Sequence, residues 1–500
     1  MRFPRLAYNT VSAAGAVLAL VATIVFVVLF LISLFLGEPN PYLGIVLYLI
    51  IPFFVLAGLV LIPAGMLRHY RRIKRGVAAD EATWPRLDLN LKSHRNATLV
   101  FLVSLVVFLL ISAVGAYQGY HYTESVKFCG ETCHPVMLPE ITAYHNSSHA
   151  RVKCVDCHIG SGAGWYAKSK LSGAYQVYAT LANKYPRPVP TPISNLRPAQ
   201  ETCEQCHWPE RFFGAQQIQF NHYMYNDSSS HWPINMLIKV GGGDPKTGQT
   251  SGIHWHMNIG AKVEYIARDE KRMDIPWVRV TDLTTGRVTV YQNQAAPLSA
   301  EEIAAATPRR MDCMDCHNRP SHNYHSPDEE VDRLLLTGQI DASLPAVKRV
   351  AVEAMSAEYE TTDVALRGIA NYMTEFYREN HADLYNTQRV AVDAAIVATQ
   401  QAFSASIFPE MKAKWSEYPD HIGHFSFPGC MRCHEGTHVS DEGLTLSREC
   451  HTCHTIIAQG EGERRQISTT EEGLDFEHPE DIGEAWKETG CYECHAGTQP

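Results

Sequence analysis

The sequence has no cysteine outside seven short motifs. Its 14 cysteines form six C-x-x-C-H motifs and one C-x-x-x-C-H variant. This leaves no thiol for a disulfide framework or a catalytic nucleophile. In chain order, sites 1 to 7 are Cys129 and Cys133, Cys154 and Cys157, Cys203 and Cys206, Cys313 and Cys316, Cys430 and Cys433, Cys450 and Cys453, and Cys491 and Cys494.

A C-x-x-C-H motif is the attachment signature of c-type haem, in which both sulfurs bond to the porphyrin and the histidine binds the iron. A zinc ribbon or a redox C-x-x-C motif is the alternative, but neither needs a histidine after every second cysteine. The sequence therefore predicts seven covalently bound haems. Their proximal ligands are the motif histidines, His134, His158, His207, His317, His434, His454 and His495.

Three long apolar runs, 11–36, 42–66 and 97–117, contain no His, Asp, Glu, Lys or Arg. Each is long enough to cross a bilayer, which takes about 20 residues. The first is too long for the apolar segment of a signal peptide, so we interpret it as an uncleaved anchor. Without histidine or charge, the runs lack ligands for intramembrane haem and groups for a proton pathway. They predict an anchor of three helices, and electrons are expected to enter at its outer face.

Basic residues set the expected orientation. Residues 1–118 carry ten Lys and Arg against four Asp and Glu, and the second connecting loop holds most of them. Positive loops remain cytoplasmic, which places the N-terminus inside and the haem region in the periplasm of an inner-membrane protein. The chain has a net charge of −10, so residues 119–500 carry −16. This acidity favours basic redox partners and argues against nucleic acid.

Histidines also outnumber the irons they could bind, because the chain has 24. Bis-histidine haems transfer electrons and leave no iron position open to a substrate. The predicted distal ligands are His149, His222, His322, His424, His438 and His478, with His254 and His256 in "GIHWHMN" as competitors.

Site 1 differs from the others by its longer cysteine spacing and by Met137, three residues after its histidine. Methionine ligation raises the haem potential, and we expect either this role for Met137 or simple packing against the porphyrin. Because Cys129 follows the third run closely, its haem is predicted to lie at the membrane surface, where a quinol arrives. The candidate proton-handling or quinol-binding residues there are His121, Glu124, Glu131, Lys168 and Lys170.

The predicted fold is a three-helix transmembrane anchor followed by a loop-rich, haem-packed periplasmic region with a small β-rich insertion and a helical segment. The expected parts are 1–118 (membrane), 119–207 (sites 1–3), 208–312 (β-rich), 313–412 (site 4 and helices) and 413–500 (sites 5–7). The segment "PWVRVTDLTTGRVTVYQ" is typical of two strands around a turn. Ser299 and Glu302 fit a helix-capping box, and the helical stripes expected from periodicity include Val364, Ile369, Met373, Val390, Val397 and Phe403.

The anchor, the first haem site beyond it and "HARVKCVDCH" resemble the NapC/NirT quinol dehydrogenases over residues 97–235. The whole chain, with "MDCMDCHNRPSH" and "YPDHIGHFSFPGCMRCHEGTH", resembles the seven-haem inner-membrane cytochromes of the ImcH type in metal-respiring bacteria. The resemblance implies quinol oxidation at the membrane in anaerobic respiration and electron delivery to periplasmic acceptors such as cytochromes. Two departures are the spacing at site 1 and Gln176, where some members have an aspartate.

Two other functions stay open at this point. A terminal reductase would need an open haem, but no motif here is of the C-x-x-C-K type found in multihaem nitrite reductases. A haem-stapled scaffold or charge store would not need a haem site next to the membrane.

Overall fold

The computed structural model describes residues 5–35, 50–75, 88–131, 136–159, 163–193, 198–212, 214–241, 252–257 and 260–498. It divides into two compact units, Met1–His134 and Pro135–Pro500. The predicted start of the second apolar run at Tyr42 and much of the basic loop lie outside the described residues.

The first unit contains three helices long and apolar enough to cross a membrane, with mean hydropathies of 2.8, 2.0 and 2.9 over their apolar windows. They are α1 (Thr10–Phe35), α2 (Ile51–Lys74) and α3 (Lys92–Thr123), and the short α4 (Val126–Glu131) follows. Helices α1 and α2 approach closely at Gly15 and Gly58, where a Cβ on Gly58 would lie 2.6 Å from the Ala19 nitrogen. Small residues permit this approach in membrane helices. The predicted three-helix anchor is therefore confirmed.

The second unit contains two antiparallel sheets. The first has the strand order β1 (Gln216–Tyr223), β2 (His231–Ile238), β8 (His454–Gln459), β9 (Gln466–Ile467). The second has the order β6 (Arg309–Arg310), β3 (Ala261–Ile266), β4 (Trp277–Asp282), β5 (Val288–Asn293), β7 (His438–Ser440). Strands from 208–312 thus pair with strands from 413–500, so these two parts share both sheets.

The helices of this unit form its largest apolar core. Their bounds are α5 (Leu138–His145), α6 (Cys154–His158), α7 (Ala163–Leu181), α8 (Ala199–Thr202), α9 (Ala300–Ala305), α10 (Pro327–Leu336), α11 (Val347–Ser356), α12 (Thr362–Asn380), α13 (Ala382–Thr387), α14 (Arg389–Ser406), α15 (Met431–His434), α16 (Ala485–Glu488) and α17 (Cys491–Cys494). The core is built mainly from α10, α11, α12 and α14. At α9 the predicted capping box is present, because the Glu302 amide donates to the Ser299 hydroxyl over 3.2 Å.

The predicted helical stripes were correct in part. Ile369, Met373 and Phe403 are buried, whereas Val364, Val390 and Val397 are exposed. On α12 the inward face runs through Ala365 and Tyr377 as well, so Ala365 faces the core in place of the neighbouring Val364. The expected fold class is confirmed. Which residues of each helix face the core could be determined only from the packed structure.

A fully buried lysine joins α10 to α11. The Lys348 ammonium contacts the Asp328 carboxylate at 2.8 Å and also the Asp332 carboxylate. It donates to the Asp328 carbonyl at 3.0 Å as well. Without this cation the two buried carboxylates would face each other with no neutralising charge.

We predict that Lys348→Met destabilises the helical core by about 3–5 kcal/mol, the usual cost of removing one member of a buried ion pair. Lys414→Met is the matched control, because Lys414 pairs with the exposed Glu358 and such surface pairs contribute less than about 1 kcal/mol. Urea unfolding followed by helical circular dichroism measures both. Equal midpoints for the two variants would contradict this account.

Candidate haem sites

Each motif in the described residues folds into a single helical turn that brings its two cysteines and its histidine together. The site 3 and site 4 turns are 3₁₀ helices, Cys203–Gln205 and Cys313–Asp315. In both, the histidine amide donates to the carbonyl of the first cysteine over 2.8 Å. A purely local backbone pattern therefore presents the three haem-binding groups as one unit. Cys133 and His134 of site 1 lie outside the described residues.

Each motif histidine of sites 2 to 7 faces a second histidine across a gap. The ring centroids of these six pairs are 5.9 to 6.3 Å apart. The pairs are His158 with His322, His207 with His149, His317 with His254, His434 with His256, His454 with His424, and His495 with His478.

The separation fits one metal ion held between two imidazoles. A metal–imidazole bond is about 2 Å long, and two such bonds plus the two ring radii add up to about 6 Å. The residues present therefore fit a haem iron with two axial histidines. Among the described residues, no cluster of three or more His, Cys, Asp or Glu side chains could hold a metal ion by itself.

Hydrogen bonds orient most of the second histidines. In five of the six, Nδ1 lies 2.6 to 3.2 Å from a backbone carbonyl. Nδ1 can donate to that carbonyl in four of them, whereas the Nδ1 of His478 also faces the Glu480 amide, which donates to it over 3.2 Å. This arrangement leaves the Nε2 lone pair available, which is the usual way that proteins fix a metal-binding imidazole. The carbonyls belong to Pro320 (for His149), Val240 (for His254), Ile253 (for His256), Glu140 (for His322) and Glu480 (for His478).

Burial also keeps several of these imidazoles neutral, the form that binds a metal. It lowers the pKa of His454 to about 4, with a further contribution from the facing His424. Burial likewise lowers the pKa of His158, His256, His317, His322 and His424. The side chains are therefore ready to bind iron at neutral pH without first losing a proton.

Two of the predicted distal histidines lie elsewhere. His438 is fully buried, and its two ring nitrogens face the Glu435 carboxylate and the Ile275 carbonyl, each at 2.7 Å. The ring of His222 lies 5.0 Å from that of Phe425, and its Nδ1 is 3.7 Å from the Asp332 carboxylate. Neither faces any of the motif histidines that the structure describes, those of sites 2 to 7. The structure instead places His254 and His256 opposite sites 4 and 5.

His254 and His256 lie on one 3₁₀ turn, Ile253–Met257, and they face two different motif histidines. Their ring planes make angles of 12° and 85° with the rings opposite them. The sequence signal was "GIHWHMN" itself, two histidines separated by one residue. The sequence offers these two histidines only as competitors to the predicted ligands, because no spacing rule links their segment to either motif.

Site 1 is described only in part. Cys129 lies on α4, and Met137 is the partly buried residue that precedes α5. His121 packs against Tyr117 near the end of α3, Glu124 caps that helix, and Glu131 ends α4. Lys168 and Lys170 belong to α7, but their side chains lie outside the described residues. The roles predicted for these residues remain predictions.

From site 2 to site 7, cysteines of successive sites lie close enough to shift one another's pKa. The Cys203 and Cys313 thiols share a hydrogen bond, which raises the pKa of Cys203. Burial raises the pKa of Cys316 to about 12, and the neighbouring Cys430 contributes. The neighbouring pairs of cysteines are Cys157 with Cys206, Cys203 with Cys313, Cys316 with Cys430, Cys430 with Cys453, and Cys450 with Cys491.

Residues inside the motifs lock sites 4 and 5 together. The Asp315 carboxylate, 1% exposed, accepts hydrogen bonds from Tyr265 at 2.6 Å, Arg272 at 2.5 Å and Arg309 at 2.9 Å. Arg432, from the site 5 motif, donates to the Asp315 carbonyl at 2.8 Å. The two attachment turns are therefore held by a buried network and not by flexible loops.

His421 completes this network as a structural residue. Burial, with the positive charge of Arg432, lowers the pKa of His421 to about 4. Its Nε2 lies 3.0 Å from the Lys271 carbonyl, and its Nδ1 lies 3.1 Å from the Asp315 carbonyl and 3.2 Å from the Arg432 guanidinium. Both nitrogens are used, which distinguishes this histidine from those that face a motif histidine.

Paired histidines, attachment turns and apolar helices define a membrane-anchored multihaem cytochrome c. Residues 91–189 match the model of the NapC/NirT cytochrome c family, N-terminal region. The cytochrome c-type protein ImcH of Geobacter sulfurreducens is 44% identical over 488 residues, which cover 98% of this chain and 95% of that protein.

The chain therefore belongs to the NapC/NirT-type multihaem cytochromes c that include ImcH, and it is an inner-membrane electron-transfer protein with covalent haem. The cytochrome c-type protein NrfH of Wolinella succinogenes is 29% identical to the chain over 116 residues. This similarity covers 22% of the chain and 63% of NrfH. No solved structure matches the chain.

We predict that His256→Ala opens one axial position and turns one haem high-spin in the electron paramagnetic resonance spectrum. His438→Asn is the control, because His438 is a buried histidine that faces no described motif histidine. Removing its ring leaves the buried Glu435 carboxylate and Ile275 carbonyl without that donor. It should cost about 1–3 kcal/mol of stability and leave every haem low-spin. An unchanged spin state in His256→Ala, or a new high-spin haem in His438→Asn, would contradict the pairing.

Proposed function

We propose that this chain binds seven c-type haems, oxidises a membrane quinol at the periplasmic face, and passes the electrons through its row of sites to periplasmic redox proteins. Support comes chiefly from one observation: six motif histidines each face a second histidine. The cysteines of successive sites, from site 2 to site 7, also lie near one another. The proposed distal ligands are His322, His149, His254, His256, His424 and His478, for sites 2 to 7 in that order.

A haem with two imidazole ligands supplies one-electron transfer at low potential and offers no open iron position to a substrate. At sites 2 to 7 both axial positions would be filled by this chain's own side chains. The geometry therefore favours an electron carrier over a terminal reductase. The locked turns around Asp315 and Arg432 suit this role, because they fix the distance between sites 4 and 5.

Site 1 is the proposed entry point. Its motif begins at Cys129, just after α3, the third apolar helix. With the basic loop in the cytoplasm, this end of α3 would lie at the periplasmic surface of the inner membrane, where lipid meets water. Quinol oxidation releases two protons, and His121, Glu124, Glu131, Lys168 and Lys170 are the residues proposed to contact the quinol or accept those protons.

The proposed acceptor is a basic periplasmic redox protein, such as a cytochrome. Residues 119–500, the expected periplasmic region, carry a net charge of −16. An acidic surface attracts a basic partner and accelerates its encounter. Such an association weakens as the salt concentration rises.

We predict that Met137→Ala lowers the potential of one haem and slows reduction by a quinol analogue in lipid nanodiscs, because methionine ligation raises haem potential. Intact-protein mass should show seven haems in both the variant and the parent. The other six haems should keep their potentials and remain reducible by dithionite.

Met411→Ala is a useful comparison, since Met411 is a buried methionine of the helical core. It should leave the potentials and the quinol kinetics unchanged. If Met137→Ala behaves in the same way, methionine ligation is excluded and the entry point must be sought elsewhere.

A further inference from the structure

Helix α7 (Ala163–Leu181) presents a row of large apolar side chains to solvent. Leu171, Tyr175, Tyr178 and Leu181 are 76%, 67%, 53% and 68% exposed. Their spacing places them on one side of the helix, because residues three or four apart lie on the same face. An apolar face of this kind on the surface of a protein marks a site of interaction.

The charge of this segment is opposite to that of its surroundings. Between Cys157 and Gln200 there is no Asp or Glu, whereas the whole region after residue 118 is strongly acidic. The same stretch holds five basic residues and five aromatic ones. The basic residues are Lys168, Lys170, Lys184, Arg187 and Arg197, and the aromatic residues are Trp165, Tyr166, Tyr175, Tyr178 and Tyr185.

The C-terminal end of α7 is fixed to the helical core of the second unit. Asn183 adopts a left-handed conformation with φ 51°, and the Lys184 amide donates to the Ala179 carbonyl over 2.7 Å, which ends the helix. Just beyond, the Val189 carbonyl accepts a hydrogen bond from the Tyr418 hydroxyl at 2.8 Å. The row of apolar side chains is therefore held in a defined direction.

The basic and aromatic groups also meet on this face. The Lys184 ammonium donates to the Tyr178 hydroxyl over 3.2 Å and lies 5.6 Å from the centre of that ring. Tyrosine and tryptophan favour the boundary between membrane and water, because one end of each side chain is apolar and the other is polar. Lysine and arginine beside them attract anionic headgroups.

We propose that α7 lies in the headgroup layer of the bilayer, with Leu171, Tyr175, Tyr178 and Leu181 turned into the lipid. The chain carries its own membrane helices, so a bilayer is always within reach. A second copy of this face would bring cations against cations, and a basic redox partner would be repelled in the same way. Anionic lipid matches both the apolar row and the charge. This inference holds whichever donor supplies the electrons.

The test is photo-crosslinking of the full holoprotein in nanodiscs that contain phosphatidylglycerol, with p-benzoylphenylalanine replacing Tyr178. Ser172, also exposed and about 120° around the same helix from Tyr178, receives the same substitution as the matched control. Mass spectrometry of the α7 peptide should find lipid adducts at position 178 several-fold more often than at position 172. The double variant Lys184→Gln/Arg187→Gln should lower the yield of phosphatidylglycerol adducts.

Other outcomes would overturn the proposal. Crosslinks from position 178 to a second copy would make this face a dimer interface, and equal yields at positions 178 and 172 would mean that the helix has no lipid-facing side. An intact mass with all haems present shows that each variant has assembled. Quinol oxidation is measured separately on the same nanodiscs. The proposed lipid contact of α7 and the proposed quinol oxidation can therefore each fail without the other.

Discussion

The haem region depends on pairs of imidazoles that face each other across a gap of metal-binding width. Each pair joins two separate segments of the chain, 17 residues apart for His478 and His495 and 178 residues apart for His256 and His434. His322, for example, lies opposite His158, and His149 lies opposite His207. A bound iron would make each pair a cross-link, and covalent attachment through the cysteines would make it permanent. This explains how loop-rich segments around the motifs can be ordered while the large apolar core belongs to the helices of residues 327–411.

The two kinds of histidine could not be predicted equally well from sequence. A motif histidine is set by a local pattern, because one helical turn places it beside its two cysteines. The histidine opposite it is chosen by tertiary packing, which no spacing rule contains. His149, His322, His424 and His478 were predicted and do face motif histidines, whereas His254 and His256, which also face motif histidines, were predicted only as competitors. His438 was favoured by its closeness to His434, yet hydrogen bonds occupy both of its nitrogens.

The fold shows the same division between local and distant information. The strand pair around residues 277–293, the capping box at Ser299 and the three apolar helices follow from short-range patterns, and the structure contains them. The pairing of strands could not be predicted in the same way. Strand β8 begins at the site 6 histidine and pairs with β2, more than 200 residues earlier. Such pairing depends on which segments the cross-linked sites bring together. It cannot be read from either strand alone.

The central claim is that the sites form one path, with site 4 between two groups of three. His317→Ala removes the proximal ligand of that site. If the path is single, a quinol analogue should rapidly reduce only the haems of sites 1 to 3 in this variant, while dithionite still reduces those of sites 5 to 7. Rapid-mixing spectroscopy resolves the two groups by amplitude. Reduction of all remaining haems at the parental rate would contradict a single path through site 4.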